Sequence, residues 1–288
     1  MKSVAQVTAA FQVRRRVGRS ATTVAVIGVF ATLVLAARIY ALQSIGRSAA
    51  AIAMAADMNM RDMTTFWSFP LLQSSGLLGL LFAYIAALLG LWQANLKAAG
   101  RIPGPWLEPL HRHVALLVVG LVLVHVLATS LDAMGDSWRT VLVLGTWAHQ
   151  GWPQAVTGYN IGILATYLLL LVAPSFYLRS WLGTHRWRLL HRLVLVFYLL
   201  TIWHAMILGL DLAYYTWLRP LIWLAQIPLL LLLMKRLSRS IMSNPTEAPV
   251  STPIARLACI GLFGLSAATA VTLLFLVLTG KSGFIPTV

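Results

Sequence analysis

The sequence predicts an all-α membrane protein, a polytopic bundle of seven transmembrane helices. Its 288 residues are 59% hydrophobic and only 10% charged, whereas a soluble domain has about 25% charged residues. The apolar residues form long continuous runs, which indicate spanning helices rather than the alternating strands of a membrane barrel. Basic residues are concentrated in alternate connecting segments, the pattern that orients helices in a membrane.

The excess of basic residues is explained by membrane orientation. Lys and Arg number 22 against 7 Asp and Glu, and they cluster between apolar segments without an aromatic-basic module, which argues against a nucleic-acid partner. Lipid is the expected neighbour of the spans. The single cysteine, Cys259, lies in an apolar run, so we expect no internal disulfide and no cysteine metal cluster. Histidine is therefore the residue expected to carry any metal chemistry.

The first span is expected from Ala21 to about Gln43, after a basic segment at 1–20. A cleaved export signal also begins with basic residues. This apolar run, however, has the length of a full span and exceeds a typical signal core. We therefore expect an uncleaved first helix whose N-terminus lies inside, preceded by Arg14, Arg15, Arg16 and Arg19.

Six further apolar runs predict spans at about Pro70–Trp92, His111–Leu131, Tyr159–Leu178, Leu189–Leu210, Tyr214–Met234 and Pro253–Thr279. Basic residues follow the second, fourth and sixth spans: Lys97, Arg101, Arg112, Arg179, Arg186, Arg188, Arg192, Lys235, Arg236 and Arg239. The intervening segments hold the acidic residues Asp57, Asp62, Asp132, Asp136 and Asp211. This asymmetry predicts an N-terminus inside and a C-terminus outside, in a plasma (inner) membrane.

Four segments are expected along the chain. Residues 1–20 form a basic cytoplasmic N-terminus, and 21–235 form a six-helix transmembrane core. Residues 236–253 form a cytoplasmic linker, because this stretch is polar and carries proline. Residues 254–288 add a C-terminal transmembrane helix.

Two of the spans each carry a pair of histidines. His111 and His125 are fourteen positions apart in the third span, and His191 and His204 are thirteen apart in the fifth. At about 1.5 Å of rise per residue, either separation is roughly 20 Å along a helix, which places one imidazole near each side of the hydrocarbon core. Both spans are expected to run outward, so the first histidines share one depth and the second histidines share another.

The helical phase of the two pairs differs. Fourteen residues at about 100° each fall about 40° short of four turns, so His111 and His125 share a face. Thirteen residues fall about 140° short, so His191 and His204 do not share one on a regular helix. The fifth span therefore needs a bulge or unwinding, or the groups bound by the two pairs are rotated relative to each other.

Histidines inside a span are costly and indicate function, although a single one is often a hydrogen-bonding partner between helices. Four that match in depth on two parallel helices are harder to explain in that way. Neutral imidazole is a common axial ligand of haem iron. The sequence therefore predicts two haems, each held by two histidines.

The motifs HR-x12-H (His111, Arg112, His125) and W-x3-HR-x11-H (Trp187, His191, Arg192, His204) resemble the ferric reductase-like transmembrane domain over about 70–235. That family includes the membrane halves of NADPH oxidases and ferric reductases, and the haem subunit of a bacterial methionine sulfoxide reductase system. The resemblance implies a cytochrome b that carries electrons across the membrane. It assigns an inner haem b to His111 and His191, and an outer haem b to His125 and His204. In this family the thirteen-residue spacing is normal.

The chain departs from the oxidases after its sixth span, where a short linker and a seventh span replace the flavin and nucleotide domains. No Gly-rich dinucleotide loop is present in the sequence. We therefore expect an oxidoreductase subunit that depends on a separate cytoplasmic electron donor, a flavoprotein or free reduced flavin, and on an acceptor at the outer face. The methionine sulfoxide reductase subunit is similarly short, but its position equivalent to His111 is typically not histidine, so two haems are expected here.

The other candidates have weaker support. Arg112 and Arg192 each follow an inner histidine and are either orientation charges or partners of a haem propionate. His113 lies roughly 200° around the helix from His111 and is the alternative inner ligand. His185 falls in a basic inside segment, where solvation is expected. His149 is either an ordinary loop residue or a contact for an electron acceptor.

Two alternatives stay open. The outside segment from Asp132 to Gly158 holds Trp138, Trp147 and Trp152, and it is either an interfacial loop or a lid over an outer redox site. The histidines also fit a transporter or assembly factor that binds a metal ion or protons without haem. Ion pathways usually require carboxylates at depth, and none falls within the expected spans, with Asp211 at an edge.

Overall fold

The computed structural model describes residues 4–44, 68–131, 138–145, 153–209, 211–212, 215, 217–242 and 253–278. Within these ranges the regular elements are ten α-helices. They are α1 (Val4–Ser44), α2 (Phe69–Ala98), α3 (Leu107–Ser130), α4 (Trp138–Leu142), α5 (Pro153–Ser175), α6 (Arg179–Leu182), α7 (Thr184–His191), α8 (Val194–Leu208), α9 (Leu218–Met242) and α10 (Pro253–Leu278).

Seven helical segments of the described chain are long and apolar enough to cross a membrane. They are Ala21–Leu42, Phe69–Ala98, Leu107–Ser130, Val156–Ser175, Thr184–Leu208, Leu218–Arg239 and Leu257–Phe275. Each has close to the roughly 20 residues that a hydrocarbon core requires, or more. The predicted fold class, a polytopic bundle of seven transmembrane helices, is confirmed. The inside-to-outside orientation stays a prediction from the charges.

Several helix boundaries differ from the sequence prediction. α1 begins at Val4, so the backbone of the basic segment is helical rather than a separate tail. α5 ends at Ser175, one residue after Pro174 and before the expected end at Leu178. α9 continues to Met242, beyond the expected end at Met234. The first residues of the predicted linker at 236–253 are thus helical, since Lys and Arg extend a helix readily once it leaves the apolar layer.

Several predictions fall outside the described residues. They concern the acidic residues Asp57, Asp62, Asp132 and Asp136, the outside residues Trp147, His149 and Trp152, and most of the linker (243–252). Trp138, the first tryptophan of the outside segment, lies in the short helix α4 and is exposed.

The chain divides into two compact units, and all four paired histidines belong to the first, Met1–Ala86 with Pro109–Leu210. In this unit α5 and α8 pack closely, because a Cβ at Gly158 would lie 2.6 Å from Leu208 Cγ and 2.9 Å from Ile207 Cγ2. Large apolar side chains such as Leu171 and Leu199 are exposed on the same two helices. Exposed leucines on spanning helices are expected to contact lipid acyl chains.

The second unit comprises Ala87–Glu108 and Asp211–Val288. Asn95 near the end of α2 is a polar junction of this unit: its side-chain Nδ2 donates to Leu232 O at 2.8 Å, and its main-chain carbonyl oxygen accepts from Arg239 Nη1 at 2.6 Å. Polar groups at this depth require partners within the protein. Asn95 therefore ties the end of α2 to α9, and α9 in turn packs against α10.

Candidate functional site

The structure brings the four predicted histidines together as two pairs. His111 on α3 lies beside His191 at the end of α7, with ring centroids 6.2 Å apart and ring planes at 87°. His125 on α3 lies beside His204 on α8, with centroids 6.1 Å apart and planes at 90°. The pairing follows the order that the sequence predicts, first with first and second with second.

These distances fit one metal atom between each pair. Metal–imidazole bonds are about 2.0 Å long and a ring centroid lies about 1.2 Å behind its nitrogen, so two imidazoles on opposite sides of one iron have centroids about 6.4 Å apart. A direct N–H···N hydrogen bond of about 2.9 Å would bring the centroids to about 5.3 Å at most. The observed 6.2 Å and 6.1 Å are close to the first value and exceed the second. Each separation therefore leaves room for one iron between the two imidazoles, and it also lies within the range of about 4.5–7 Å for an edge-to-face ring contact.

Three of the imidazoles have Nδ1 against a main-chain carbonyl oxygen. His111 Nδ1 lies 3.0 Å from Ala86 O, His125 Nδ1 lies 2.9 Å from Leu72 O, and His204 Nδ1 lies 2.9 Å from Gly158 O. A carbonyl oxygen only accepts, so Nδ1 carries the proton in each case and the lone pair resides on Nε2. A hydrogen bond of this kind fixes the tautomer and ring orientation that a metal-binding imidazole needs.

Glycines make room for the outer imidazoles. A Cβ at Gly76 would lie 3.0 Å from His125 Cε1, and a Cβ at Gly162 would lie 2.5 Å from His204 Nδ1. Both are closer than the 3.5–4.0 Å or so of an ordinary carbon contact. Each glycine therefore lets an imidazole reach the backbone of the facing helix.

The accepting carbonyls and these glycines form a repeated pattern that the sequence reasoning missed. Leu72 O is four residues before Gly76, and Gly158 O is four residues before Gly162. Ala86 is likewise followed, four residues later in the sequence, by a glycine at position 90. The glycines at 76 and 90 are fourteen residues apart, as are the histidines of the antiparallel helix α3. This shared interval of fourteen residues was the sequence signal from which the pattern could have been predicted.

The fifth span is interrupted between its two histidines, which is one of the two alternatives that their spacing left open. α7 ends at His191 and α8 begins at Val194. The backbone N–H groups of Arg192, Leu193 and Leu195 donate to carbonyls three residues earlier. This is a tightened 3₁₀ turn rather than an unwinding, and each such residue adds about 20° of rotation. Three of them reduce the offset between the two histidines from about 140° to about 80°.

The setting of His191 differs from that of the other three. Its ring stacks on the indole of Trp187, with centroids 5.3 Å apart and planes at 23°. The indole also meets Phe176 edge-on at 6.2 Å. Trp187 Nε1 is buried and has no hydrogen-bond acceptor among the described residues. An orphaned buried donor beside a ligand pair fits a cofactor that carries acceptor groups.

The other candidates lie around the inner pair. The guanidinium of Arg112 lies over the Phe176 ring at 5.8 Å, and Arg192 is exposed at the helix break. His113 is buried on α3, and the ring that meets His191 is that of His111. His111, rather than His113, is therefore the residue that pairs with His191. His185 is exposed, as expected for a solvated residue.

The described residues contain no cluster of three or more His, Cys, Asp or Glu side chains able to enclose a metal ion. Haem iron needs only two protein ligands, because the macrocycle supplies the other four. Cys259 forms no disulfide within the described residues. Asp211, outside the spans, is half-buried, and burial raises the pKa of its carboxyl.

The fold and the histidine geometry define a class: a multi-pass helical membrane protein with two imidazole pairs in one unit. Searches of protein families, curated proteins and solved structures find no match to the chain. The resemblance to the ferric reductase-like domain therefore rests on its motif residues alone, and the activity is argued from the site.

Proposed function

We propose that the chain is a membrane cytochrome b that carries electrons across the membrane through two haems b. One observation supports the proposal: two imidazole pairs with centroid separations of 6.2 Å and 6.1 Å, close to the roughly 6.4 Å of two imidazoles on one iron. His111 and His191 would hold the inner haem, and His125 and His204 the outer one. The fourteen-residue interval on α3 separates the two sites by roughly 21 Å along the helix.

The haems would supply the one-electron chemistry, and the protein residues supply ligation and a dry path. The Nδ1–H donations from His111, His125 and His204 hold each Nε2 in the tautomer that binds a metal. The apolar residues of the spans would keep water away from the route. The protein itself contributes no acid–base step in this proposal.

Donor and acceptor follow from the proposed orientation. Electrons enter from a separate cytoplasmic donor, a flavoprotein or free reduced flavin, and leave to an acceptor at the outer face of the inner membrane. Arg179, Arg186 and Arg188 are exposed near the inner pair, and positive charge attracts an acidic or phosphate-bearing donor. The chain would then be an oxidoreductase subunit of the ferric reductase-like kind.

Single-site variants test the ligand assignment. His125→Ala and His204→Ala are each expected to remove the same haem, which identifies the outer site. His111→Ala and His191→Ala are each expected to remove the other haem. His185→Ala is the matched control, because that histidine is exposed and belongs to neither pair. Absorbance spectra of the purified proteins report the haems. Loss of different haems from the two outer-pair variants contradicts the pairing.

Liposomes containing the protein test the route. NADPH alone should leave the haems oxidised, and NADPH with a flavin reductase and flavin should reduce them. Rapid reduction by NADPH without added flavin or flavoprotein contradicts the proposed donor. A protein that binds a metal ion but never haem would favour the transporter alternative.

A further inference from the structure

The inner and outer pairs are built differently. Both outer imidazoles, His125 and His204, donate from Nδ1 to a main-chain carbonyl. In the inner pair His111 does the same, whereas His191 has no such hydrogen bond among the described residues. The Trp187 indole stacks on the His191 ring instead, at 5.3 Å and 23°. The inner pair therefore depends on an aromatic contact where the other three ligands use the backbone.

Trp187 is well placed to hold that ring. It lies four residues before His191 on α7, one helical turn away, so both side chains occupy one face. Phe176 packs against the indole at 6.2 Å and itself lies under two guanidiniums, those of Arg179 at 4.6 Å and Arg112 at 5.8 Å. The two guanidiniums therefore lie at one end of the stack, and the imidazole of His191 lies at the other end.

The indole N–H is the unexplained group in this stack. Indole nitrogen is a donor only, and Trp187 Nε1 is buried without an acceptor in the part of the chain that the structure describes. The large majority of buried side-chain donors in native proteins have an acceptor. Arg112 and Arg179 lie over the Phe176 ring that packs against the indole, and their positive charge would favour an anionic partner. A carboxylate meets both requirements, and haem carries two as its propionates.

We infer that Trp187 is the positioning residue of the inner haem site: its ring sets the plane of His191, and its N–H donates to a haem propionate. The inference rests on the proposed haem function. A donor to the propionate partly neutralises its charge and so favours reduction of the iron. The inner haem would thereby differ in potential and ligand orientation from the outer one.

Three variants of the full-length protein in lipid test the inference. Trp187→Phe keeps an aromatic ring and loses the N–H, whereas Trp187→Leu loses both. Trp181→Phe is the matched control, because Trp181 is 83% exposed in the neighbouring helix α6. Redox titration followed by absorbance gives both midpoint potentials. Electron paramagnetic resonance of the oxidised protein reports the angle between the two imidazole planes at each haem.

Trp187→Phe should lower the midpoint of the inner haem and change its pH dependence, with the inner resonance signal and the whole outer haem unchanged. Trp187→Leu should also alter the inner resonance signal or weaken inner haem binding. Trp181→Phe should change neither. The outer haem serves as the internal reporter of a folded protein.

An inner midpoint that is unchanged in Trp187→Phe overturns the hydrogen bond. An unaltered inner signal in Trp187→Leu overturns the positioning role. If the wild-type protein holds two haems, either result with the variants leaves the proposed function standing. Absence of haem from the wild-type protein overturns both.

Discussion

Gly162 offers the sharpest perturbation of the proposed outer site. Alanine at this position would place a methyl group 2.5 Å from His204 Nδ1 and 2.7 Å from its Cε1. An ordinary contact needs about 3.5 Å, so the imidazole must move by about 1 Å. Metal–ligand distances in a functional site hold to about 0.2 Å. The displaced His204 should no longer complete the outer pair.

Two energies oppose each other in this substitution. Alanine is favoured over glycine in a helix by about 0.5–1 kcal/mol. Overpacking of a fitted site costs about 1–3 kcal/mol, and the hydrogen bond from His204 to Gly158 O is at risk as well. A net loss of about 1–2 kcal/mol corresponds to roughly 5–30-fold weaker retention of the outer haem. The steric term should therefore prevail.

Haem retention is the assay. Gly162→Ala would be purified in detergent and its haem content and spectrum compared with those of wild type and His204→Ala, whose missing haem defines the outer site. Gly120→Ala is the control, because no atom lies within 4 Å of a Cβ at that position on α3. This control should keep both haems and gain helix stability. A Gly162→Ala protein that holds both haems as tightly as wild type refutes the reasoning.

Three further predictions concern Gly76, His113 and Asn95. Gly76→Ala, with a 3.0 Å approach to the His125 ring, should weaken the outer haem less than Gly162→Ala does. Gly79→Ala, with 3.8 Å to its nearest neighbour, should not weaken it. Equal haem loss in Gly76→Ala and Gly79→Ala contradicts this. His113→Ala should keep the inner haem in absorbance spectra, and loss of that haem from this variant alone would make His113 the ligand. Asn95→Ala removes an interhelical hydrogen bond and should lower unfolding free energy by about 1–3 kcal/mol, read as a lower midpoint of thermal unfolding; an unchanged midpoint contradicts it.

The spans and the histidine pairs were accessible from the sequence because they depend on local composition and spacing. Apolar runs must become helices in lipid, since every backbone group needs a partner there. The pairing of His111 with His191 followed from depth alone, given the orientation from charges. The offset between His191 and His204 also predicted either an irregularity in the fifth span or a rotation between the groups that the two pairs bind.

The remaining features depend on which helix faces which, and no local pattern reports that. The tightened turn at Arg192 and Leu193 could be expected as an irregularity, but not in its sense of rotation. The carbonyls that accept from His125 and His204 lie 53 and 46 residues away in the chain. The spacing of Trp187 and His191 was part of the sequence motif. The role of the indole, however, could be inferred only from its buried N–H, which the structure shows.

Haem content of the purified wild-type protein tests the central claim most directly. The protein would be expressed with an adequate haem supply, and haem would be quantified against protein by absorbance of its pyridine complex and by amino-acid analysis. Two imidazole pairs predict a ratio that approaches two, with low-spin, six-coordinate spectra in both redox states. A ratio near one shows that one pair is misassigned. A protein that binds no haem contradicts the account.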